Sequence, residues 1–132
     1  MEKKLVAVYG SLRKFGHNHN NYLGEAEYVG EFWSKPLYSL YSLGSYPGLK
    51  EDGLTSVLME VYKVTEEESQ SIDYLEGYTE GGRNSFYDKT VVETPFGEAS
   101  VYIYQPEVLA RELVKSGDWK EYFETKRERS RY

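Results

Sequence analysis

The stretch "KLVAVYGSLR", Lys4–Arg13, decides how this chain is read. Four apolar residues, Leu5 to Val8, run straight into Tyr9-Gly10-Ser11-Leu12, with Arg13 just beyond. A strand that is apolar on both faces is expected at the centre of a sheet, so residues 4–9 are assigned to a buried central strand. The Gly-Ser that ends it reads two ways. It is an ordinary turn, or it presents consecutive backbone N–H groups as a concave site for a carboxylate. In the second reading Gly10 permits positive φ and a close ligand approach, and Arg13 adds charge. The loop is no Walker-type phosphate cradle, because the second glycine and the following Lys-Ser/Thr pair are missing.

Working outward, "GHNHN" continues as a loop. Strands are expected near 26–34 and 36–42, followed by a loop through Gly44, Pro47 and Gly48. Thr55 to Val64, "TSVLMEVYKV", alternates as a strand does. Thr65 followed by Glu66, Glu67 and Glu68 is a capping box, and acids suit the positive start of a helix. Ile72 and Leu75 share the inner face of that helix, and Gly77 is placed to end it in a left-handed cap. Two strands near 86–93 and 98–104 follow, joined by the hairpin-like "TPFGE". Pro106 opens a second helical stretch, "EVLARELVKSG", that ends at Gly117, and Asp118 is a candidate cap for "WKEYF". This order predicts an α+β domain with a mainly antiparallel sheet, curled toward a barrel, and helices packed on it.

Composition narrows the function. A length of 132 residues suits one domain with one core, here residues 1–123, with "KRERSRY" ending a basic tail over 124–132. That tail reads as a solvated end. The net charge of -6 argues against a nucleic-acid partner. The absence of cysteine excludes disulfides, thiolate metal sites and a cysteine nucleophile. No apolar run spans a bilayer and no signal peptide is read at the N-terminus, so a cytoplasmic location is expected. The 14 tyrosines are numerous enough to line half-polar pockets as well as cores.

Candidate site residues follow from these elements. His17 and His19 form an H-x-H pair with no acid or third histidine in the motif, so structural hydrogen bonds are the plainer reading. Glu76 ends the capped helix, where the negative end of the dipole and burial both raise a carboxyl pKa toward that of a general base. Asp73 is the rival carboxylate, and an exposed last-turn acid is the plainer reading of Glu76. Tyr78, Tyr87, Tyr102 and Tyr104 are core residues or pocket walls. Tyr102 and Tyr104 share one face of their strand.

In this order, "VAVYGSLRKFGHNHNNYL", "LGSYPGL", "LMEVYKV", "IDYLEGY", "FYDKTVVE", "ASVYIY" and "SGDW" resemble the gamma-glutamylcyclotransferase-like family, which includes the AIG2-like proteins. The resemblance runs from about Leu5 to Trp119. It implies a small mixed, mainly antiparallel β-barrel flanked by helices, with a cavity over the end of the first strand. It implies a cofactor-free, metal-free enzyme that acts on a small gamma-glutamyl amine or peptide and releases 5-oxoproline. Within the resemblance, Tyr9, Gly10, Ser11 and Leu12 hold the gamma-glutamyl group, Glu76 is the acid/base, and Tyr87 lines the cavity. Tyr46 belongs to a "YPG" loop near the mouth. From the strand pattern Tyr104, like Tyr102, is core or pocket wall, and Arg13 or Arg83 is the local positive charge that offsets the net charge of -6 toward an anionic substrate. A binding module that uses the same cavity without chemistry is the alternative.

Overall fold

A computed structural model describes residues 3–44, 46–78 and 86–129, with the side chains of Asp52 and of residues 126–129 left aside. Arg83 and most of the "YTEGGRNS" loop lie outside the described residues.

The elements in chain order are β1 (Lys4–Val8), α1 (His19–Leu23), β2 (Glu27–Trp33), β3 (Tyr38–Ser42), β4 (Pro47–Thr55), β5 (Leu58–Val64), α2 (Glu66–Glu76), β6 (Tyr87–Thr94), β7 (Gly97–Tyr104) and α3 (Trp119–Arg129). A single 3-10 turn, Ala110–Glu112, precedes α3. Five strands form one sheet in the order β2-β5-β1-β7-β6. β1 pairs antiparallel with β5 and parallel with β7, and all the other pairs are antiparallel. β1 is therefore central, as its two apolar faces require. Ala7 and Tyr9 enter one hydrophobic core, while Val6 and Val8 enter the other.

The expected α+β fold with a mainly antiparallel sheet is present, without a closed barrel among the described strands. Among the described strands the sheet stays open, and β3 and β4 pair only with each other in a second sheet. The β6–β7 hairpin meets edge strand β2 through a side chain instead of a backbone ladder. The Phe96 ring occupies the space that a Cβ on Gly30 would fill, 2.5 Å from its Cζ. β4 leans on β7 in the same manner, with Gly48 against Tyr104.

Two local expectations also change. The stretch at Pro47 and Gly48 is the start of strand β4, with Pro47 to Lys50 paired against Ser42 to Ser39 of β3 before the register shifts. The helix expected from Pro106 to Gly117 is reduced to the 3-10 turn Ala110–Glu112, followed by a single bridge residue, Leu113, and a turn. Its backbone is claimed by neighbours: Val114 N–H donates to Leu40 at 2.7 Å, and Gly117 carbonyl accepts from Leu58 at 2.9 Å. Helix α3 starts where expected, its first amides at Lys120 and Glu121 donating to the Asp118 carboxylate. It runs on to Arg129, so the boundary drawn after Phe123 falls inside a helix.

α2 places the key carboxylate. Thr65 Oγ1 accepts from Glu68 N–H at 3.1 Å while Glu68 reaches back to Thr65 N–H at 2.8 Å. Both bonds satisfy amides that the first turn otherwise leaves open. Ile72 is fully buried in the core that holds Val6, Val8 and Tyr62, which fixes α2 across β1 and β5. Gly77 adopts φ 69, and its N–H and that of Tyr78 close on Asp73 carbonyl. Glu76, one turn beyond Ile72, is thereby held over the end of β1.

Candidate active site

The turn after β1 is built by its own carbonyls. Arg13 N–H donates to Gly10 carbonyl, and Asn18 N–H to Ser11 carbonyl, at 3.0 and 3.1 Å. Asn18 Nδ2 also donates to Ser11 Oγ at 2.9 Å. These bonds turn the chain back on itself, so that Gly10, Ser11 and Leu12 line a cavity. Gly10 does not use positive φ. It is glycine because Pro47 packs on it: an added Cβ would lie 2.7 Å from the proline Cγ. The close approach foreseen for a ligand is, at the α-carbon, taken by β4.

The cavity holds about 350 Å³, within the ordinary range for small-molecule sites. Its floor is β1 and β7, through buried Ala7, Val8, Tyr9 and Tyr102. Tyr87 forms one wall, and Glu76 faces the space from the end of α2. Burial pushes the Glu76 carboxyl from the ordinary 4.5 up to about 7. Desolvation, which disfavours the charged form, is the cause.

The tyrosines are pinned donors. Tyr9 hydroxyl donates to Tyr102 carbonyl at 2.7 Å, and Tyr87 hydroxyl to Pro47 carbonyl at 2.9 Å. Burial above all, with the nearby Glu76 adding, raises the pKa of Tyr9, Tyr87 and Tyr102 well above the ordinary tyrosine value. All three stay protonated at working pH. Asp73 is spoken for: it takes Lys89 Nζ at 2.9 Å and the Tyr102 hydroxyl. Glu76 has no hydrogen bond or ion pair of this kind among the described residues.

Two expected site residues lie elsewhere. Arg13 is almost fully buried and turned away from the cavity, with Nε on Glu60 at 3.0 Å and Nη1 on Asp118 at 3.0 Å. Glu60 also accepts Lys14 N–H at 2.9 Å and Tyr62 hydroxyl at 2.8 Å. With two carboxylates on it, Arg13 has no net charge to offer a ligand. It ties the β1 turn to β5 and to the start of α3. Tyr104 stands behind the wall, its ring edge-on to Tyr87 at 5.3 Å between centroids, and does not line the cavity. Tyr9, Gly10, Ser11, Leu12, Tyr46, Tyr87 and Glu76 do line it.

Other lining residues carry no such reading in the sequence: Asn18, Leu75 and Phe86, with His17 read as a metal ligand or a structural loop histidine, whereas Pro47 belongs to the mouth loop read with Tyr46. His19 points elsewhere, its Nδ1 on Leu12 carbonyl at 2.9 Å. Among the described residues no group of His, Asp and Glu converges as a metal ion requires.

The family model for gamma-glutamyl cyclotransferase, AIG2-like proteins matches residues 6–121. The chain belongs to this family. A Vibrio cholerae protein provisionally named a gamma-glutamylcyclotransferase is 44% identical over 115 residues, covering 87% of this chain and 94% of that protein. The gamma-glutamylcyclotransferase family protein YtfP of Escherichia coli K12 is 40% identical over 115 residues, 86% of this chain and 94% of its own. The solution structure of the E. coli protein superposes with a TM-score of 0.70 at 36% identity, over 90% of this chain and 98% of that one. The crystal structure of an uncharacterised Pyrococcus horikoshii protein matches with a TM-score of 0.77 at 30% identity, covering 95% and 97% of the two chains. The family match contains both halves of the cavity, from β1 and its turn to the Glu76 end of α2.

Proposed function

We propose that this member of the gamma-glutamylcyclotransferase family is a cofactor-free cyclotransferase with Glu76 as general acid/base. The α-amine of a gamma-glutamyl group attacks the γ-carbonyl, a C–N bond forms, and the ring closes to 5-oxoproline. The bond from the γ-carbonyl carbon to the leaving nitrogen breaks, and an amine or amino acid departs. The α-ammonium must first lose a proton to become a nucleophile. Glu76 accepts that proton and delivers it to the leaving nitrogen. The ring nitrogen sheds a second proton as the ring closes, which passes to the departing amine, so two protons move from the α-nitrogen to the leaving nitrogen and Glu76 ends the turnover as it began.

The observation that carries this reading is the position of a carboxyl with pKa about 7 in the same cavity as the Gly10, Ser11 and Leu12 backbone. A group of that pKa moves protons in both directions near neutrality. Backbone amides of the β1 turn suit the substrate α-carboxylate, which has no cationic partner to seek in Arg13. Both reacting groups sit on one molecule, so orientation supplies much of the rate. The rigid floor of Tyr9 and Tyr102 serves that end.

The test is 5-oxoproline release from a panel of gamma-glutamyl amines and dipeptides. The expected result is turnover of at least one class. Ligand-induced stabilisation without any 5-oxoproline would replace this reading with a non-catalytic binding module.

A further inference from the structure

Tyr46 and Phe86 line the cavity and yet are 47% and 65% exposed, unlike the buried tyrosines of the floor. They form the rim. Their mutual placement is fixed by the residues that follow them. Tyr87 hydroxyl bonds Pro47 carbonyl at 2.9 Å, which locks the chain after Phe86 to the chain after Tyr46. Tyr46 carbonyl accepts Leu43 N–H at 2.9 Å, and Phe86 carbonyl accepts Gln105 N–H at 2.7 Å. Both rings are thus presented from backbones already held, which lowers the ordering cost of closing on a ligand.

We propose that Tyr46 and Phe86 form an aromatic clamp for the leaving group, selecting gamma-glutamyl amines with a flat, apolar body. This rests on the cyclotransferase reading, in which the gamma-glutamyl end occupies the β1 turn beside Glu76. The amine side then passes between the two exposed rings. Covering them removes apolar surface from water, and an aromatic body adds ring–ring contact.

The experiment has two arms. In the first, kcat/KM is compared for gamma-glutamyl-phenethylamine, gamma-glutamyl-alanine and gamma-glutamyl-1,4-diaminobutane. The phenethylamine compound is expected to be preferred, and Phe86→Ala with Tyr46→Ala to reduce that preference about tenfold, with Phe86→Trp restoring it. In the second arm, calorimetry measures binding of the glutaryl amides of the same three amines, which lack the α-amine and cannot cyclise. The phenethyl amide is expected to bind tightest to the wild type, and the double variant to lose the difference. Equal affinities, a preference for the alanyl or aminobutyl amide, or no binding of any of the three would overturn the clamp. Turnover of nothing with a retained phenethyl preference in binding would overturn the cyclotransferase reading and leave the clamp standing.

Discussion

Asp73, one turn before Glu76 on α2, takes Lys89 Nζ at 2.9 Å, whereas Glu76 faces the cavity with its pKa raised to about 7. The same helix therefore carries a carboxylate with a fixed counter-charge and one kept ready to exchange a proton. Asp73→Asn is expected to weaken the Lys89 and Tyr102 contacts, costing about 1–2 kcal/mol of stability, while kcat falls less than about tenfold. Urea melts and steady-state rates on one preparation check both numbers.

The Glu76 shift makes a statement about pH. Its carboxyl is raised from 4.5 to about 7 in the folded chain. Between those values the folded state binds more protons than the unfolded state, so stability falls as pH rises through this window. The cost of ionised Glu76 above pH 7 is on the order of 2 kcal/mol, discounted for its partial contact with solvent. Glu76→Gln removes the ionisation. Its melting temperature relative to wild type is expected to rise from pH 5 to pH 8. A constant difference across that range would contradict the shift. In activity, kcat/KM is expected to climb with an apparent pKa near 7 as the base ionises.

Arg13 and Glu60 form a buried pair at 3.0 Å, with Asp118 as a second acid on the same guanidinium. Removing the cation strands a buried carboxylate, so Arg13→Ala is expected to cost about 3–5 kcal/mol. Arg13→Ala combined with Glu60→Gln should recover part of that loss. Chemical denaturation of the two variants reads the difference, and simple additivity would speak against the pairing.

Gly10 and Pro47 make a steric prediction. A Cβ at residue 10 would sit 2.7 Å from Pro47 Cγ, so Gly10→Ala must push β4 off the β1 turn. The expected cost is about 1–3 kcal/mol, with a raised KM because the turn lines the cavity. Pro47→Ala in the same chain should relieve both effects. Thermal melts and KM values of the single and double variants decide it.

Legibility in the sequence followed how local each cause was. Helix α2 was plain because its capping box, buried Ile72 and Gly77 stop all act within a few residues. β1 was plain because burial on two faces leaves a continuous apolar run. β4 was hidden by Pro47 and Gly48, which carry turn signals although β3 pairs with them, and by Gly53 in the irregular stretch between Lys50 and Thr55. The stretch after Pro106 has helical composition, but hydrogen bonds of Val114 with Leu40 and of Gly117 with Leu58 hold its backbone to β3 and β5. Arg13 looked free beside the turn because its partners, Glu60 and Asp118, lie 47 and 105 residues away in the chain. The same distance effect hid Phe86, which lines the same cavity as the β1 turn from a remote part of the chain.

The central claim is that Glu76 moves the proton. The direct measurement is 5-oxoproline release by Glu76→Gln against wild type, on a gamma-glutamyl substrate the wild type turns over, with circular dichroism and melting confirming the fold. The account predicts a loss of about 10²–10⁴ in kcat in a folded protein at least as stable as wild type at pH 8. A folded Glu76→Gln variant that keeps wild-type kcat would contradict it.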